Sequence, residues 1–290
     1  MTSRITRRDF AVLGGGLVLS AQAVVAQTEA PLLTRAIPHG GERLPAVGLG
    51  TALIFNDDNE ATRSKAAAVV QALIASGARL IDTASAYGDA ESVLGAVTSA
   101  AGLRSKLFIA TKIRTPDEQE LRRSLTRLKT DSVDLLQLHN VRSAQQSLQL
   151  FRDWKQQGLC RHIGITSTMR DDYPAIEAVL KREKPDFVQI DYSLDNREVE
   201  KTILPLAAEV GAGVLTALPY GRNRLFRAVH GKELPDWARA FANSWGQFFL
   251  KYLLGDPRVT AVIPGTNDPG HMTDNAGAMR GPLPDTAQRR

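Results

Sequence analysis

Short apolar segments alternate with longer segments of helical period from about residue 45 towards the end of the chain. One helical segment carries Val69, Val70, Leu73 and Ile74 on a single stripe and ends at Gly77, as expected for an amphipathic helix closed by glycine. Eight of the short segments have the length and composition of strands. They cover residues 47–54, 80–83, 107–112, 133–139, 162–166, 187–192, 213–218 and 259–264.

These predicted strands are apolar along their whole length, which is typical of parallel strands covered on both faces. Eight strand–helix units in about 250 residues predict an α/β fold of the (β/α)8 TIM-barrel type. An open doubly wound sheet is the alternative, but it normally carries a glycine-rich phosphate loop, and Gly48-Leu49-Gly50 is not followed by a third glycine. Upstream, residues 33–45 contain the turn His39-Gly40-Gly41-Glu42 and predict an N-terminal β-hairpin that closes the bottom of the barrel.

Residues 1–26 have the layout of an export signal, with a basic head, an apolar middle and an exit of small residues. The apolar part, residues 11–19, is too short and too rich in glycine for a stable membrane-spanning helix. The sequence Thr6-Arg7-Arg8-Asp9-Phe10 resembles the twin-arginine motif, whose pathway carries folded proteins. We therefore predict a cleavable signal at 1–26, contact with the export machinery, a periplasmic location and no stable membrane anchor.

The charge balance changes once this segment is set aside. The chain has 290 residues and a formal net charge of +5, and loss of three arginines and one aspartate with residues 1–26 lowers it to +3. The remaining charges are scattered and form no run that would follow a nucleic-acid backbone. One cysteine, Cys160, excludes an internal disulfide and a cysteine-based metal cluster. We expect residues 31–290 to form a single barrel domain and a monomer that binds neither nucleic acid nor metal.

Four polar side chains fall at the ends of neighbouring predicted strands. Asp82, Lys112 and His139 end the second, third and fourth strands, and Tyr87 follows Asp82 in the next loop. Reactive groups of a TIM barrel lie at this end of the strands. An ammonium group near a phenol favours the phenolate, and a carboxylate keeps the ammonium charged. Together these groups can protonate a carbonyl oxygen while hydride arrives from another molecule.

These residues belong to motifs that resemble those of the aldo-keto reductases. The motifs are Leu80–Gly88, Ala110–Lys112, Val133–Asn140 and Val262–Thr266, and the resemblance runs from about Ala36 to Ala278. It implies a catalytic tetrad of Asp82, Tyr87, Lys112 and His139, with Tyr87 as the general acid/base. It also implies a nicotinamide cofactor, NADPH or NADH, across the top of the barrel and a small carbonyl or alcohol as substrate.

The resemblance further implies a set of cofactor-binding residues. In this chain they are Gly50, Thr51, Asp82, Thr166, Ser167, Gln189, Leu218, Tyr220, Arg222, Gly265, Thr266, Asn267, His271 and Asn275. Some positions depart from the family. Thr166 and Ser167 replace the usual Ser-Asn, and Ala217 replaces the aromatic residue that stacks on the nicotinamide, so that Tyr220 is the nearest ring.

The segment implied for the adenosine end has no lysine or arginine from residue 263 to 279. A 2′-phosphate there would face Asp268 and Asp274, with only His271 and a helix start to offset them. We therefore predict relaxed or NADH-leaning cofactor use, with NADPH open if Arg222 or Arg224 reaches over. The substrate pocket is expected to be open, because Ala52 replaces a family aromatic, and to be edged by aromatic side chains. These are Phe55, Tyr220 and Phe226.

Two other functions compete with hydride transfer on this fold. A barrel glycoside hydrolase needs two carboxylates at strand ends, whereas the fourth strand ends in His139-Asn140 and the seventh in Leu218-Pro219. That function is excluded. A cofactor-bound sensor or regulatory subunit on the same barrel, without turnover, stays as the alternative, although an intact tetrad favours an enzyme. If an enzyme of this kind is exported, we expect it to leave the cytoplasm with its cofactor tightly bound.

Overall fold

The computed structural model describes residues 31–141 and 144–290, and the predicted signal at 1–26 lies outside them. Residues Pro31–Arg290 form one compact unit. Its strands are β1 (Thr34–Ala36), β2 (Arg43–Pro45), β3 (Gly48–Gly50), β4 (Leu80–Asp82), β5 (Phe108–Ile113), β6 (Val133–His139), β7 (Cys160–Ser167), β8 (Phe187–Asp191), β9 (Gly213–Ala217) and β10 (Ala261–Val262). Its α-helices are α1 (Glu60–Ala75), α2 (Ala90–Ala100), α3 (Glu118–Leu128), α4 (Ala144–Gln156), α5 (Tyr173–Glu183), α6 (Ile203–Val210), α7 (Arg224–Ala228), α8 (Trp245–Leu254) and α9 (Pro269–Gly277).

Strands β3 to β10 form an eight-stranded parallel sheet in chain order. Parallel bridges from Val47 to Val262 and from Gly50 to Gly265 join its two edges. The sheet is therefore a barrel, which confirms the predicted TIM-barrel fold and rules out the open doubly wound sheet. The first strand is shorter than predicted, because the chain turns after Gly50 and Leu53 adopts a left-handed conformation with φ of 64°.

An antiparallel hairpin of β1 and β2 precedes the barrel, as predicted. Its buried side chains, Ile37 and Leu44, belong to the same apolar cluster as Leu80, Phe108 and Phe187, which begin three barrel strands. The hairpin thus covers the amino-terminal ends of the strands and leaves their carboxyl ends for the site.

Apolar side chains fill both the interior of the barrel and the layer between strands and helices. The interior cluster includes Leu135, Leu215 and Ala261, and a larger cluster lies between the strands and the helices. This double burial explains why the strand segments are apolar throughout. Within the described residues, no helix is both long enough and apolar enough to cross a membrane.

Candidate active site

The structure brings the four tetrad side chains together at the carboxyl ends of β4, β5 and β6. The Lys112 Nζ lies 2.6 Å from the Asp82 Oδ2 and donates a second hydrogen bond to the Thr83 carbonyl at 2.9 Å. The same Nζ lies 4.9 Å from the centre of the Tyr87 ring. The rings of Tyr87 and His139 meet edge to face, with centroids 5.8 Å apart.

Lys112 keeps its charge although it is fully buried. Burial alone disfavours an ammonium ion, but the neighbouring Asp82 carboxylate and Tyr87 hydroxyl outweigh it and raise the pKa of Lys112 above its usual value. A permanent cation therefore lies beside the phenol, which is the electrostatic arrangement that the sequence predicts for proton transfer.

The pKa of His139 shifts in the opposite direction to that of Lys112. Burial, followed by the positive charges of Lys112 and Arg114, lowers the pKa of His139 to about 4. The imidazole is therefore neutral near pH 7 and has a single N–H to donate. Its buried Nδ1 has no hydrogen-bond partner among the described residues.

A hydrogen-bond network holds Asp82 from below. Its Oδ1 accepts from the Gln189 amide at 2.7 Å and from the Gln137 amide at 3.2 Å. The Thr166 hydroxyl in turn donates to the Gln189 carbonyl oxygen at 3.0 Å. Gln137 is absent from the sequence prediction, although a lone amide in the apolar segment Val133–His139 is a visible signal.

A cavity of about 490 Å³ opens above this network. Nine of the predicted cofactor-binding residues line it: Gly50, Asp82, Thr166, Ser167, Gln189, Leu218, Tyr220, Arg222 and Gly265. Residues that the sequence analysis did not select also line it, among them Leu53, Ile54, Arg114, Asn140 and Thr168.

The rim of this cavity concentrates unusual backbone conformations. Of the seven non-glycine residues with positive φ in the described chain, five line the cavity. They are Leu53, Asn140, Leu218, Arg222 and Asn223. The other two, Lys129 and Lys184, close helices. Left-handed residues other than glycine cost energy and cluster at functional sites, which supports this cavity as the site.

The remaining predicted cofactor-binding residues lie outside the cavity lining. They are Thr51, Thr266, Asn267, His271 and Asn275. Thr51 is buried and donates to the Thr83 hydroxyl at 2.9 Å. Asn275 accepts a hydrogen bond of 2.5 Å from the Tyr220 hydroxyl, which ties the loop after β9 to α9. This hydrogen bond restrains Tyr220, so its ring is not free to swing onto a nicotinamide.

The acidic residues of this segment are engaged within the protein. The Asp268 carboxylate caps α9 by accepting from the backbone N–H groups of Gly270 and His271. Asp274 accepts from Ser244 at 2.6 Å and Gln247 at 2.8 Å, at the start of α8. Both carboxylates thus accept hydrogen bonds within the protein, and that they would also face a 2′-phosphate stays a prediction.

Burial, pairing and packing bear on three more of the residues named in the sequence analysis. Phe55 is fully buried in the core and does not edge the pocket. Arg224 forms an ion pair with Asp195 at 2.7 Å, so its guanidinium already has a partner in the protein. Phe226 packs on Tyr220 with ring centroids 4.7 Å apart, behind the cavity wall.

The polar groups that line the cavity beside Tyr87 fit a nicotinamide carboxamide. Gln189 has a second amide hydrogen besides the one donated to Asp82, and the hydroxyl oxygens of Thr166 and Ser167 can accept, since they donate their own hydrogens to Gln189 and Asp172. Gly50 and Gly265 also let the two edges of the barrel approach each other. A Cβ at Gly50 would lie 2.8 Å from the Ile263 carbonyl oxygen, and a Cβ at Gly265 would lie 3.2 Å from the Gly50 carbonyl oxygen.

Comparison with known proteins decides the family. A sequence model described as the Aldo/keto reductase family matches residues 46–289. The chain belongs to the aldo/keto reductase family. Membership confirms the sequence resemblance and the prediction of an oxidoreductase.

Individual relatives of the family agree with this assignment. The chain is 27% identical over 274 residues to the uncharacterized oxidoreductase YqkF of Bacillus subtilis, covering 80% of this chain and 86% of the relative. It is 35% identical over 144 residues to an aldo-keto reductase of Mycolicibacterium smegmatis, covering 46% of this chain and 48% of the relative.

A solved aldo-keto reductase structure from Klebsiella pneumoniae, in complex with NADPH, superposes with a TM-score of 0.73 at 25% identity. The match covers 86% of this chain and 90% of that one. The aldo-keto reductase of Bombyx mori in complex with NADP gives a TM-score of 0.68 at 25% identity, over 88% of this chain and 90% of that one.

Proposed function

We propose that this protein interconverts aldehydes or ketones and alcohols by hydride transfer, with Tyr87 as the general acid/base. The observation that carries the proposal is the position of Lys112 Nζ, which lies 2.6 Å from the Asp82 carboxylate and 4.9 Å from the centre of the Tyr87 ring. This trio lies at the base of an open cavity that a small carbonyl compound can enter.

The cofactor is of the nicotinamide class, as in the NADPH- and NADP-bound relatives. When bound, it supplies or accepts the hydride. Gln189, Thr166 and Ser167 would hold its carboxamide, and Arg222, exposed at the rim, would face its diphosphate. We propose that the tetrad side chains then donate the proton to the substrate oxygen or accept it.

The proposed proton step starts from the Tyr87 hydroxyl, which donates to the oxygen of the carbonyl as the alcohol forms. The Lys112 ammonium stabilises the phenolate that remains, and Asp82 keeps that ammonium in place. His139 is neutral and donates a hydrogen bond to the same oxygen, which orients the carbonyl.

Turnover separates this enzyme from a sensor without activity. Purified protein should reduce 4-nitrobenzaldehyde with NADPH or NADH, followed by loss of absorbance of the reduced cofactor. Absence of turnover across a broad panel of aldehydes and ketones would instead favour the cofactor-bound sensor or regulatory subunit.

For the choice of cofactor, we propose relaxed or NADH-leaning binding. No lysine or arginine lies between residues 263 and 279, and Asp268 already occupies the N–H groups at the start of α9. The dissociation constants of NADH and NADPH, measured by fluorescence titration, should lie within tenfold of each other or favour NADH. NADPH binding at least tenfold tighter than NADH binding would contradict this proposal.

We further propose that residues 1–26 direct export by the twin-arginine route and that the protein leaves the cytoplasm with its nicotinamide cofactor bound. The supporting sequence features are Arg7-Arg8 and the intact tetrad of the folded domain. Native protein isolated from the periplasm should contain stoichiometric nucleotide by mass spectrometry. Periplasmic protein without nucleotide, or protein found only in the cytoplasm, would contradict the proposal.

A further inference from the structure

Positive charge prevails among the residues that line the active-site cavity. Its charged residues are Asp82, Arg114 and Arg222. Asp82 is buried and bonded to Lys112, whereas both arginines are exposed. The mouth of the cavity therefore presents two guanidinium groups, and the carboxylate beneath them is already neutralised.

Arg114 lies on the side of the mouth where the carbonyl would react. It directly follows β5 and stands two residues after Lys112. It lines the cavity together with Tyr87 and His139. Its positive charge also acts on His139, where it contributes to the lowered pKa.

The backbone of Arg114 is fixed by the neighbouring helix. The Glu120 carboxylate, on α3, accepts from the N–H of Arg114 at 3.2 Å, from the N–H of Thr115 at 3.0 Å and from the Ser85 hydroxyl at 2.7 Å. Glu120 is thus engaged by three donors, and it anchors the main chain of Arg114 rather than its guanidinium.

Within residues 31–141 and 144–290, the guanidinium of Arg114 forms no ion pair with a carboxylate. Other exposed arginines do form pairs: Arg122 lies 2.5 Å from Glu118, and Arg224 lies 2.7 Å from Asp195. An unpaired cation over the reacting centre is suited to an anion that comes with the substrate.

The two arginines of the mouth have different neighbours along the chain. Arg222 follows β9 in the loop that also carries Tyr220, which is bonded to Asn275 on α9. That loop leads to the segment implied for the adenosine end, and we therefore assign Arg222 to the cofactor. Arg114 follows β5, which carries the tetrad lysine, and so belongs to the substrate side.

We propose that Arg114 selects carbonyl substrates that carry a carboxylate group near the reacting carbonyl. The inference rests on the proposed carbonyl reductase function and names its substrate class. A guanidinium binds a carboxylate through two parallel hydrogen bonds, which fixes the orientation of the substrate as well as adding affinity. Because the mouth is open to water, the expected preference is modest, about tenfold in kcat/KM.

The test compares each of two acids, 3-formylbenzoate and 4-formylbenzoate, with its own methyl ester. Acid and ester have similar shape but differ in charge, and the ester also withdraws electrons more strongly from the ring, so the readout is the change in the acid-to-ester ratio of kcat/KM between enzymes. For at least one of the two isomers, the ratio measured with the wild type should be about tenfold higher than the ratio measured with Arg114→Gln, mainly through KM. Arg114→Lys should retain part of this difference.

Arg122→Gln is the matched control, because it removes the same charge from an exposed arginine away from the cavity. It should leave the ratio at the wild-type value. The inference is overturned if Arg114→Gln leaves both ratios at their wild-type values. That result contradicts this inference alone, whereas failure to reduce acids and esters alike contradicts the proposed function beneath it.

Discussion

Lys112 and Asp82 form a buried ion pair whose partners are each 5% exposed or less. In such a pair, the favourable free energy of attraction between the charges roughly offsets the free energy lost when both leave water. Its net contribution to stability is therefore small when both partners are present. Removal of one partner is different, since the other is left as an isolated charge in the barrel interior.

The pair can be tested by substitution of each partner. Lys112→Met strands the Asp82 carboxylate, and we expect it to lower the free energy of unfolding by about 3–5 kcal/mol. Adding Asp82→Asn removes the stranded charge, so the double variant should be more stable than Lys112→Met. Urea denaturation of the wild type, both single variants and the double variant measures the difference. A double variant no more stable than Lys112→Met would contradict this description of the pair.

His139 gives a prediction about pH. Its pKa is lowered to about 4, mainly by burial, whereas an unfolded histidine titrates near 6.5. The imidazole therefore stays neutral as the pH falls through 6.5, and its contribution to stability declines between about pH 6.5 and 4, where only the unfolded chain binds the proton. NMR titration of the histidine rings, with His139→Gln for assignment, should show no protonation of His139 above pH 5. A titration midpoint of His139 between pH 6 and 7 would contradict this prediction.

At the scale of elements, helices α2 and α3 approach each other most closely at a glycine. An ideal Cβ at Gly95 would lie 1.9 Å from the carbonyl oxygen of Arg127, which belongs to rigid helix backbone. The contact matters to the site, because α2 carries Glu91, whose buried carboxylate accepts from the Thr111 hydroxyl next to Lys112 at 2.6 Å.

Gly95→Ala tests this approach. The better helix propensity of alanine adds about 1 kcal/mol, but the two helices must separate, and we expect a net loss of about 1–3 kcal/mol in the free energy of unfolding. Ser99→Ala, at an exposed position of the same helix, is the control and should change stability by less than about 0.5 kcal/mol. A Gly95→Ala variant as stable as the wild type in urea would show that the helices adjust without cost.

The strands and helices could be predicted from the periodicity of apolar residues, but their exact ends could not. The eight strands follow from apolar segments bounded by turns, yet β3 stops at Gly50, four residues before the predicted end. Leu53 is exposed in a turn in which the Ile54 N–H donates to the Thr51 carbonyl at 3.2 Å, and leucine gives no local sign of the left-handed conformation it adopts there.

For the whole molecule, the barrel itself explains why the tetrad could be found in the sequence. Parallel strands bring their carboxyl ends to one edge, so Asp82, Lys112 and His139 meet although they are far apart in the chain. The predicted position of Phe55 was wrong for the converse reason. Phe55 turns into the core, and Asp274 accepts from Ser244 at the start of α8; both contacts depend on packing that strand and helix periodicity does not specify.

The central claim is that Tyr87 transfers the proton at the barrel's open end. The most direct measurement is kcat for reduction of 4-nitrobenzaldehyde by the wild type and Tyr87→Phe, with Tyr173→Phe, in which a different tyrosine loses its hydroxyl, as the control. Loss of a general acid predicts a fall in kcat of about 10²–10⁴-fold for Tyr87→Phe, with little change in cofactor affinity, and near wild-type kcat for Tyr173→Phe. A Tyr87→Phe enzyme that keeps wild-type kcat would contradict the account.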